Sequence, residues 1–237
     1  MNAAIIVAGG SGERSGLAAG KQLAVVAGRP VLSYALAAFD ACPAIHEIVV
    51  VAHPDRMDEY RAVAVDPVAS AKVSRIVGGG STRQRSVAAG LEAVSSSAQT
   101  IIVHDGARPL VTEGLVTAVI GALDRDGSLD GLVVGHPSYD TLKSVDVDRV
   151  VLGTLDRGVV WTAQTPQAFR ARVLREAYAQ AMAEGFEGTD DASLVERLGR
   201  RVGMFPGPRG NLKITVPEDL LVVERLLARG AEGRRGE

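Results

Sequence analysis

Short runs of apolar, mostly β-branched residues alternate with amphipathic helical patterns along this chain, and this alternation constrains the fold more than any other feature. The apolar runs cover residues 2–8, 47–52, 73–77, 100–104 and 132–134. Such runs are typical of strands buried on both faces, as in a parallel sheet. Helical patterns cover residues 30–39, 83–94, 112–123, 171–183 and 217–228. We therefore predict an α/β fold with a doubly wound, mostly parallel sheet.

One segment, at about residues 136–160, breaks this alternation. It contains short strand-like pieces and Asp/Gly turns without a helical period, which predicts a protruding β-hairpin or arm. An arm of this kind packs on a partner subunit. We predict a single domain over residues 1–237 that carries this arm.

The charge balance and the single cysteine exclude several classes of protein. The chain has 26 Lys and Arg against 28 Asp and Glu, a net charge of −2, whereas nucleic-acid binders carry a basic excess. No apolar run approaches the roughly 18 residues that span a bilayer. Cys42, the one cysteine, cannot form an internal disulfide. We expect a cytoplasmic protein that binds neither nucleic acid nor membranes.

A glycine-rich loop, VAGGSGERSGLAAGKQL, follows the first predicted strand at residues 7–23. Glycines there let backbone N–H groups approach a phosphate. The P-loop spacing fails, because only three residues separate Gly16 from Gly20, where four are needed, and Gln22 follows Lys21. The dinucleotide fingerprint lacks its third glycine. What remains is a phosphate loop with the cations Arg14 and Lys21, or else a surface loop on which both cations are solvated.

Asp105 lies just past the end of the fourth predicted strand, in the segment IIVHDGARP. Ligands bind at strand ends of this kind in open α/β sheets, and a carboxylate beside phosphates is a typical Mg²⁺ ligand. Arg108 has the geometry to hold an anion. The alternative is that Asp105 is a turn or cap residue. We expect His104 to be a packed residue that points into the structure.

Three further segments carry polar residues of interest. GGGSTRQRS at 78–86 predicts an anion site before a helix, with Arg83 and Ser86 near a nucleotide, or a plain helix start. Thr189, in GTDDA, is typical of an N-cap. Lys213 lies in the strand-like run NLKIT, where it either faces solvent or binds an anion.

These five segments, together with DTLK and the motif TLDR…WTAQTPQAF, occur in an order and spacing that resembles the 2-C-methyl-D-erythritol 4-phosphate cytidylyltransferase family of the non-mevalonate isoprenoid pathway. The similarity runs from about residue 3 to residue 228. Each motif alone is modest evidence, whereas seven in order are highly specific. The resemblance implies a nucleotide-diphospho-sugar transferase-like α/β fold and a homodimer in which the arm contacts the partner subunit. It also implies CTP as cosubstrate and Mg²⁺ as cofactor.

The family's site residues carry over onto matching positions of this sequence. The resemblance implies catalytic roles for Arg14, Lys21, Arg157 and Lys213. It implies that the nucleotide is bound by Ala8, Gly9, Gly10, Gly80, Ser81, Ser86 and Asp105. It implies that the methylerythritol phosphate is bound by Asp105, Arg108, Thr141, Arg157, Thr165, Thr189 and Lys213. Asp105 matches the magnesium ligand, and Arg157 is expected to come from the partner subunit.

The implied reaction is in-line attack of the acceptor phosphate on the α-phosphorus of CTP, with loss of pyrophosphate. The chain departs from the common family pattern at Gly20, Val7 and Gly106, and none of these departures removes a charged group.

Three alternatives stay open at this stage. A cytidylyltransferase for another polyol phosphate, such as ribitol 5-phosphate, shares the CTP loops. An NAD-dependent oxidoreductase is disfavoured, because the second strand ends in His53-Pro54 without an acidic residue. A non-catalytic nucleotide-binding regulator is disfavoured by the retained set of charged residues.

Overall fold

The computed structural model describes residues 1–10 and 20–233. In chain order its strands are β1 (Asn2–Val7), β2 (Val25–Val26), β3 (Arg29–Pro30), β4 (Glu47–Ala52), β5 (Val73–Gly78), β6 (Thr100–Asp105), β7 (Gly131–Pro137), β8 (Lys143–Val145), β9 (Val151–Thr154), β10 (Trp161–Arg170) and β11 (Val202–Pro206). The helices are α1 (Val31–Ala41), α2 (Met57–Tyr60), α3 (Arg83–Ala93), α4 (Glu113–Arg125), α5 (Ala171–Glu184), α6 (Asp191–Arg197) and α7 (Glu218–Gly233).

The centre of the fold is a seven-stranded sheet with the order β11-β7-β10-β6-β1-β4-β5. β1 pairs in parallel with β4 and β6, β4 pairs in parallel with β5, and β7 pairs in parallel with β11. Only β10, among these paired strands, is antiparallel to its neighbours, β6 and β7. The predicted mostly parallel α/β sheet is confirmed.

Apolar side chains cover both faces of this sheet, because its strands alternate their side chains between two helical layers. On one face Ile6, Val50 and Ile102 pack with residues of α1 and α4. On the other face Ile5, Val51 and Val103 pack with residues of α3, α5 and α6. A third, smaller cluster contains Val26, Val31, Ile214 and Val223, so it joins the β2–β3 hairpin and α7 to the chain around residue 214.

Several elements differ from the sequence prediction. β10 and β11 were not predicted, because neither has a continuous apolar run or a clear alternation. Residues 211–215 form no strand, although NLKIT reads as strand-like. The predicted N-cap at Thr189 is wrong: the Asp190 side chain accepts from the N–H of Ser193 and begins α6. The carboxylate of Asp190 is a strong acceptor for the free N–H groups of that helix end.

The segment expected to form an arm contains a separate two-stranded antiparallel sheet, β8 with β9. No residue from 139 to 160 is buried. Large apolar side chains in this segment are exposed to an unusual degree, with Val147 at 94%, Val159 at 78% and Leu152 at 69%. In the described ranges no helix is both long enough and apolar enough to cross a membrane.

Gly90 marks the point where α3 lies closest to the sheet, and we expect Gly90→Ala to destabilise the fold. A Cβ at this position would lie 2.6 Å from Ile5 Cγ2 and 3.0 Å from Val51 Cγ2. Overpacking of a filled core costs about 1–3 kcal/mol, which exceeds the gain of about 1 kcal/mol from alanine's helix propensity. Urea denaturation measures the change in the free energy of unfolding.

The matched control is Gly114→Ala in α4, where an added Cβ meets nothing within 4 Å. There we expect a neutral to stabilising change of up to about 1 kcal/mol. Equal effects of the two substitutions would contradict the packing argument.

Candidate active site

A cavity of about 840 Å³ opens at the carboxyl edge of the central sheet. From β1 the chain runs outward to β4 and β5 and then returns to β6 on the other side of β1. Ligands in open α/β sheets bind at such a topological switch point. The wall includes Gly9 and Gly10 after β1, Gly79 and Gly80 after β5, and Asp105 at the end of β6.

Two glycine loops meet at the carbonyl of Ala52 and form one side of the cavity. The N–H of Gly79 donates to the Ala52 oxygen over 2.8 Å. A Cβ on Gly9 would lie 2.8 Å from that same oxygen, closer than real Cβ contacts occur. Glycine is required here by the close approach of two backbones, which leaves the peptide groups of both loops at the cavity wall.

Two buried hydroxyl groups hold these loops from behind. Tyr60 Oη donates to the carbonyl of Ala8 over 3.1 Å, and the Ala8 N–H donates to the carbonyl of Val51. Ser86 Oγ accepts from the N–H of Gly80 over 3.1 Å and donates to the carbonyl of Thr82 over 2.9 Å. The loop conformations are therefore fixed by partners within the fold.

Asp105 carries the carboxylate at the end of β6, and three cationic side chains of the described residues surround it. Lys213 Nζ lies 2.7 Å from Oδ2, and Arg83 Nε donates to Oδ1 over 3.0 Å. Arg108 Nε is more distant, at 3.9 Å from Oδ2. Burial alone raises the pKa of Asp105, but the charges of Arg83, Lys213 and Arg108 outweigh it and hold that pKa far below its usual range. The carboxyl is ionised throughout the neutral range.

Arg83 links this carboxylate to a second, fully buried one. Its NH2 group donates to Asp191 Oδ2 over 2.8 Å, and the hydroxyl of Tyr178 donates to Asp191 Oδ1. Burial lowers the pKa of Arg83, but Asp191 and Asp105 more than compensate and raise it above its usual value. Arg83 is thus a fixed cation, held at the start of α3 between two negative charges.

His104 is fully buried beside Asp105. Its Nδ1 lies 3.1 Å from Thr165 Oγ1, and its Nε2 lies 3.3 Å from the carbonyl oxygen of Arg108. Burial lowers the pKa of His104 to about 3, although the charge of Asp105 acts in the opposite direction. The imidazole is therefore neutral at physiological pH, and the expectation of a packed, inward-pointing histidine agrees with its position.

The segment that carries Lys213 is anchored on both sides of that residue. Asn211 is fully buried and donates from Nδ2 to the carbonyl of Thr165 over 2.8 Å. Ile214 donates its N–H to the carbonyl of Ala107 over 2.9 Å and packs in the third apolar cluster. These anchors place the ammonium group of Lys213 at the cavity wall without a regular strand.

The structure gathers many of the residues proposed from sequence. Those that line the cavity are Gly9, Gly10, Lys21, Gly80, Ser81, Ser86, Asp105, Thr189 and Lys213. Ala8, Arg108 and Thr165 lie behind the wall and are largely buried. Thr141 and Arg157 are exposed in the 139–160 segment and are not among the residues that line this cavity. Arg14 lies outside the described residues.

Two charged residues of the site were not assigned from sequence in the roles that the geometry gives them. Arg83 was expected near a nucleotide, but its ion pairs with Asp105 and Asp191 give it a structural partner on each side. Asp191 was passed over, because its partner Arg83 is 108 residues away in the chain and GTDDA itself gives no sign of that pairing. Gln22 was also missed: it lines the cavity while only 3% exposed, and the structure as described gives its Oε1 no hydrogen-bond partner.

Cations, the Asp105 carboxylate and two glycine loops at the carboxyl edge are the features of an α/β protein that binds a nucleotide and handles its phosphates. The family model described as "IspD: 2-C-methyl-D-erythritol 4-phosphate cytidylyltransferase" matches residues 2–229. The chain belongs to this family, and it is a cytidylyltransferase.

Relatives and solved structures agree with this assignment. A 2-C-methyl-D-erythritol 4-phosphate cytidylyltransferase from Syntrophus aciditrophicus is 43% identical, covering 98% of this chain and 97% of the relative. One from Symbiobacterium thermophilum is 45% identical, over 94% of this chain and 91% of the relative. The crystal structure of the Anaerococcus prevotii 4-diphosphocytidyl-2C-methyl-D-erythritol synthase superposes with a TM-score of 0.83 at 30% identity, covering 96% of each chain. The Thermus thermophilus cytidylyltransferase has a TM-score of 0.75 at 34% identity, covering 96% of this chain and 98% of that one.

The buried neutral His104 predicts a loss of stability in mild acid. The unfolded chain protonates this histidine near pH 6.5, whereas the folded chain does so only near pH 3, so the unfolded state binds more protons between these values. The free energy of unfolding is therefore unaffected by His104 well above pH 6.5, and it decreases as the pH is lowered below that value. Between pH 7 and pH 5 we expect His104 alone to remove about 2 kcal/mol from the free energy of unfolding.

Urea denaturation at pH 7 and pH 5 measures this loss, and the same comparison in His104→Phe removes the titrating group. We expect a smaller pH dependence in the variant. An equal dependence in both proteins would show that other groups cause the acid destabilisation.

Proposed function

We propose that the chain transfers the cytidylyl group of CTP to 2-C-methyl-D-erythritol 4-phosphate. The products are 4-diphosphocytidyl-2-C-methyl-D-erythritol and pyrophosphate, in the non-mevalonate isoprenoid pathway. The observation that carries the proposal is the family match over residues 2–229, joined to a cavity at the carboxyl edge of the sheet whose wall includes Lys21, Arg83 and Lys213. The near-neutral charge and single cysteine are consistent with action in the cytoplasm.

The chemistry requires cations more than it requires a general base. The phosphate monoester of the acceptor is largely a dianion at neutral pH, since its second pKa is about 6. It attacks the α-phosphorus in line, and pyrophosphate leaves from the opposite side. Because both reactants are anionic, their approach is opposed by Coulomb repulsion, which positive side chains offset.

Lys21 and Lys213 are the two lysines at the cavity wall, and we assign them to this charge compensation. Lys213 is 37% exposed and contacts Asp105, so its ammonium group is both accessible and oriented. Arg14 receives the same role from its motif alone, since its position is outside the described residues. Arg83 contributes a fixed positive charge in the same wall.

The glycine loops are assigned to the nucleotide. Gly9, Gly10 and Gly80 offer backbone groups at the wall, and Ser81 lies beside them. Ala8 and Ser86 act from behind, because their polar groups are bonded within the fold. Such backbone contacts suit recognition of a base and ribose at close range.

Asp105 fits the role of a magnesium ligand by its donor chemistry. It presents carboxylate oxygens at the wall, and the described residues contain no cluster of three or more His, Cys, Asp or Glu side chains that would form a closed metal cage. Mg²⁺ characteristically binds through one or two carboxylates together with substrate phosphates. When bound, it supplies charge neutralisation to the triphosphate.

The exposed arm supports a homodimer in which the partner subunit completes the acceptor site. Residues 139–160 expose Val147, Leu152 and Val159, which a second copy would cover. Thr141 and Arg157 lie in the same segment and are exposed, so both are free to face a partner's cavity. With Thr189, Thr165 and Arg108 they form the proposed acceptor-binding set.

Pyrophosphate release by the purified protein tests the proposed reaction. With Mg²⁺ and CTP we expect release with 2-C-methyl-D-erythritol 4-phosphate, and none with ribitol 5-phosphate or without an acceptor. Release with ribitol 5-phosphate instead would support the proposed nucleotide site but contradict the proposed acceptor. Silence with both acceptors would overturn the proposal.

Lys213→Ala should lower kcat by about 10²–10³-fold, because a charge at the reacting phosphates is lost. Lys72→Ala is the matched control. Lys72 binds the carbonyls of Asp40 and Cys42 and precedes β5, at the opposite edge of the sheet. The loss of the Lys72 side chain should leave kcat unchanged. Equal kcat values for the two variants would show that Lys213 takes no part in catalysis.

Subunit mixing tests whether Arg157 acts across the dimer. Lys21→Ala and Arg157→Ala should each be inactive, and a mixed dimer should contain one site with both side chains intact. After random exchange between symmetric dimers, about a quarter of all sites should recover. Proven exchange without recovery would place Arg157 in the site of its own chain.

A further inference from the structure

A closed ring of buried hydrogen bonds lies directly behind the charged wall of the cavity. His104 contacts Thr165 through Nδ1 and the carbonyl of Arg108 through Nε2. Arg108 NH1 donates to the carbonyl of Asn211 over 2.8 Å, and Asn211 Nδ2 donates to the carbonyl of Thr165 over 2.8 Å. We propose that His104 and Asn211 are positioning residues for cytidylyl transfer, which set the geometry of Asp105 and Lys213 without contacting substrate.

The chemistry of the ring fixes the position of each proton. The carbonyl of Arg108 can only accept, so the hydrogen on the neutral imidazole is on Nε2 and Nδ1 is an acceptor. The hydroxyl of Thr165 therefore donates to Nδ1. That hydroxyl in turn accepts the N–H of Asp105 over 3.0 Å. The backbone of Asp105 is thereby bound to β10 through a side chain that His104 orients.

The ring ties together three separate segments, each of which carries part of the site. The end of β6 supplies Asp105, and the turn that follows supplies Arg108. The Arg108 N–H donates to the carbonyl of Asp105 across this turn. β10 supplies Thr165. The 211–214 segment supplies Lys213, two residues after Asn211. A shift of any one segment changes the 2.7 Å contact between Lys213 Nζ and Asp105 Oδ2.

Burial separates the positioning residues from the residues that reach the cavity. His104 and Asn211 are both 0% exposed, and neither lines the cavity. Asp105 and Lys213 do line it. The hydrogen bonds of the ring favour one arrangement of the site, because a shift of any segment would break at least one of them in a low-dielectric place. A misplacement of about 1 Å at a reacting centre costs about 10²-fold in rate.

The first experiment is His104→Phe, which retains an aromatic ring against Phe39 and removes both ring hydrogen bonds. We expect kcat for pyrophosphate release to fall by about 10- to 10²-fold. The affinity for CTP, measured by titration calorimetry, should fall by a smaller factor than kcat, because the glycine loops assigned to the base and ribose are outside the ring. His46→Phe is the matched control: His46 accepts from the N–H of Asn2 and is exposed at the other edge of the sheet, so its kcat should be unchanged.

Coupling to Lys213 distinguishes positioning from simple destabilisation. If His104 acts through the Asp105–Lys213 pair, the loss in kcat from His104→Phe should be much smaller in a Lys213→Ala background. Independent, multiplying effects of the two substitutions would contradict the proposal. So would a kcat for His104→Phe within twofold of the unsubstituted protein.

A measurement on the unsubstituted protein guards against a variant that fails to fold. ¹⁵N NMR of histidine-labelled protein at pH 7 should show a hydrogen on Nε2 of His104 and a hydrogen-bond acceptor at Nδ1, as the contacts with the Arg108 carbonyl and the Thr165 hydroxyl require. A hydrogen on Nδ1 with none on Nε2 would overturn the ring's direction and with it the proposal. The proposal rests on the proposed function, but this spectrum tests the ring even if pyrophosphate release fails.

Discussion

The carboxylate of Asp105 is the one group on which the rest of the site depends. It lies where β6 ends and is the shared counter-ion of Arg83, Arg108 and Lys213. Each of these side chains has a nitrogen within 4.0 Å of an Asp105 carboxylate oxygen. Removing it would leave three cations without their shared partner, and a buried unpaired charge is strongly unfavourable. The parallel strands matter because they deliver this residue and the glycine loops to the same edge of the sheet.

Charge in this site is organised in two layers. The outer layer, formed by Lys21 and Lys213, faces the cavity. The inner layer, formed by Asp191, Tyr178 and the neutral His104, faces the fold and holds the outer layer's partners in place. Among the described residues, the cavity wall carries three cationic side chains, Lys21, Arg83 and Lys213, beside three carboxylates, Asp55, Asp105 and Glu187.

The sequence was sufficient for the elements with local signals. The continuous apolar runs of β1, β4 and β6 were recognisable, because strands buried on both faces of a parallel sheet have a composition of their own. β10 was not recognisable, since its pairing with β6 and β7 depends on residues far away in the chain. The hydrogen-bonded ring behind the cavity could not be predicted either. Nothing in the spacing of His104, Thr165 and Asn211 indicates that three distant segments meet there.

The meeting of Gly9 and Gly79 at the Ala52 carbonyl restricts how this chain can diverge. A Cβ on Gly9 would approach the Ala52 oxygen to 2.8 Å, and one on Gly79 would approach Ser86 Oγ to the same distance. Gly9 cannot gain a side chain without a movement of backbone at the end of β4, and Gly79 cannot gain one without displacing the Ser86 hydroxyl that accepts from the Gly80 N–H. Drift or deliberate redesign toward another nucleotide is therefore easier at other residues that line the cavity, such as Ser81 and Gln22, than in the two glycine loops.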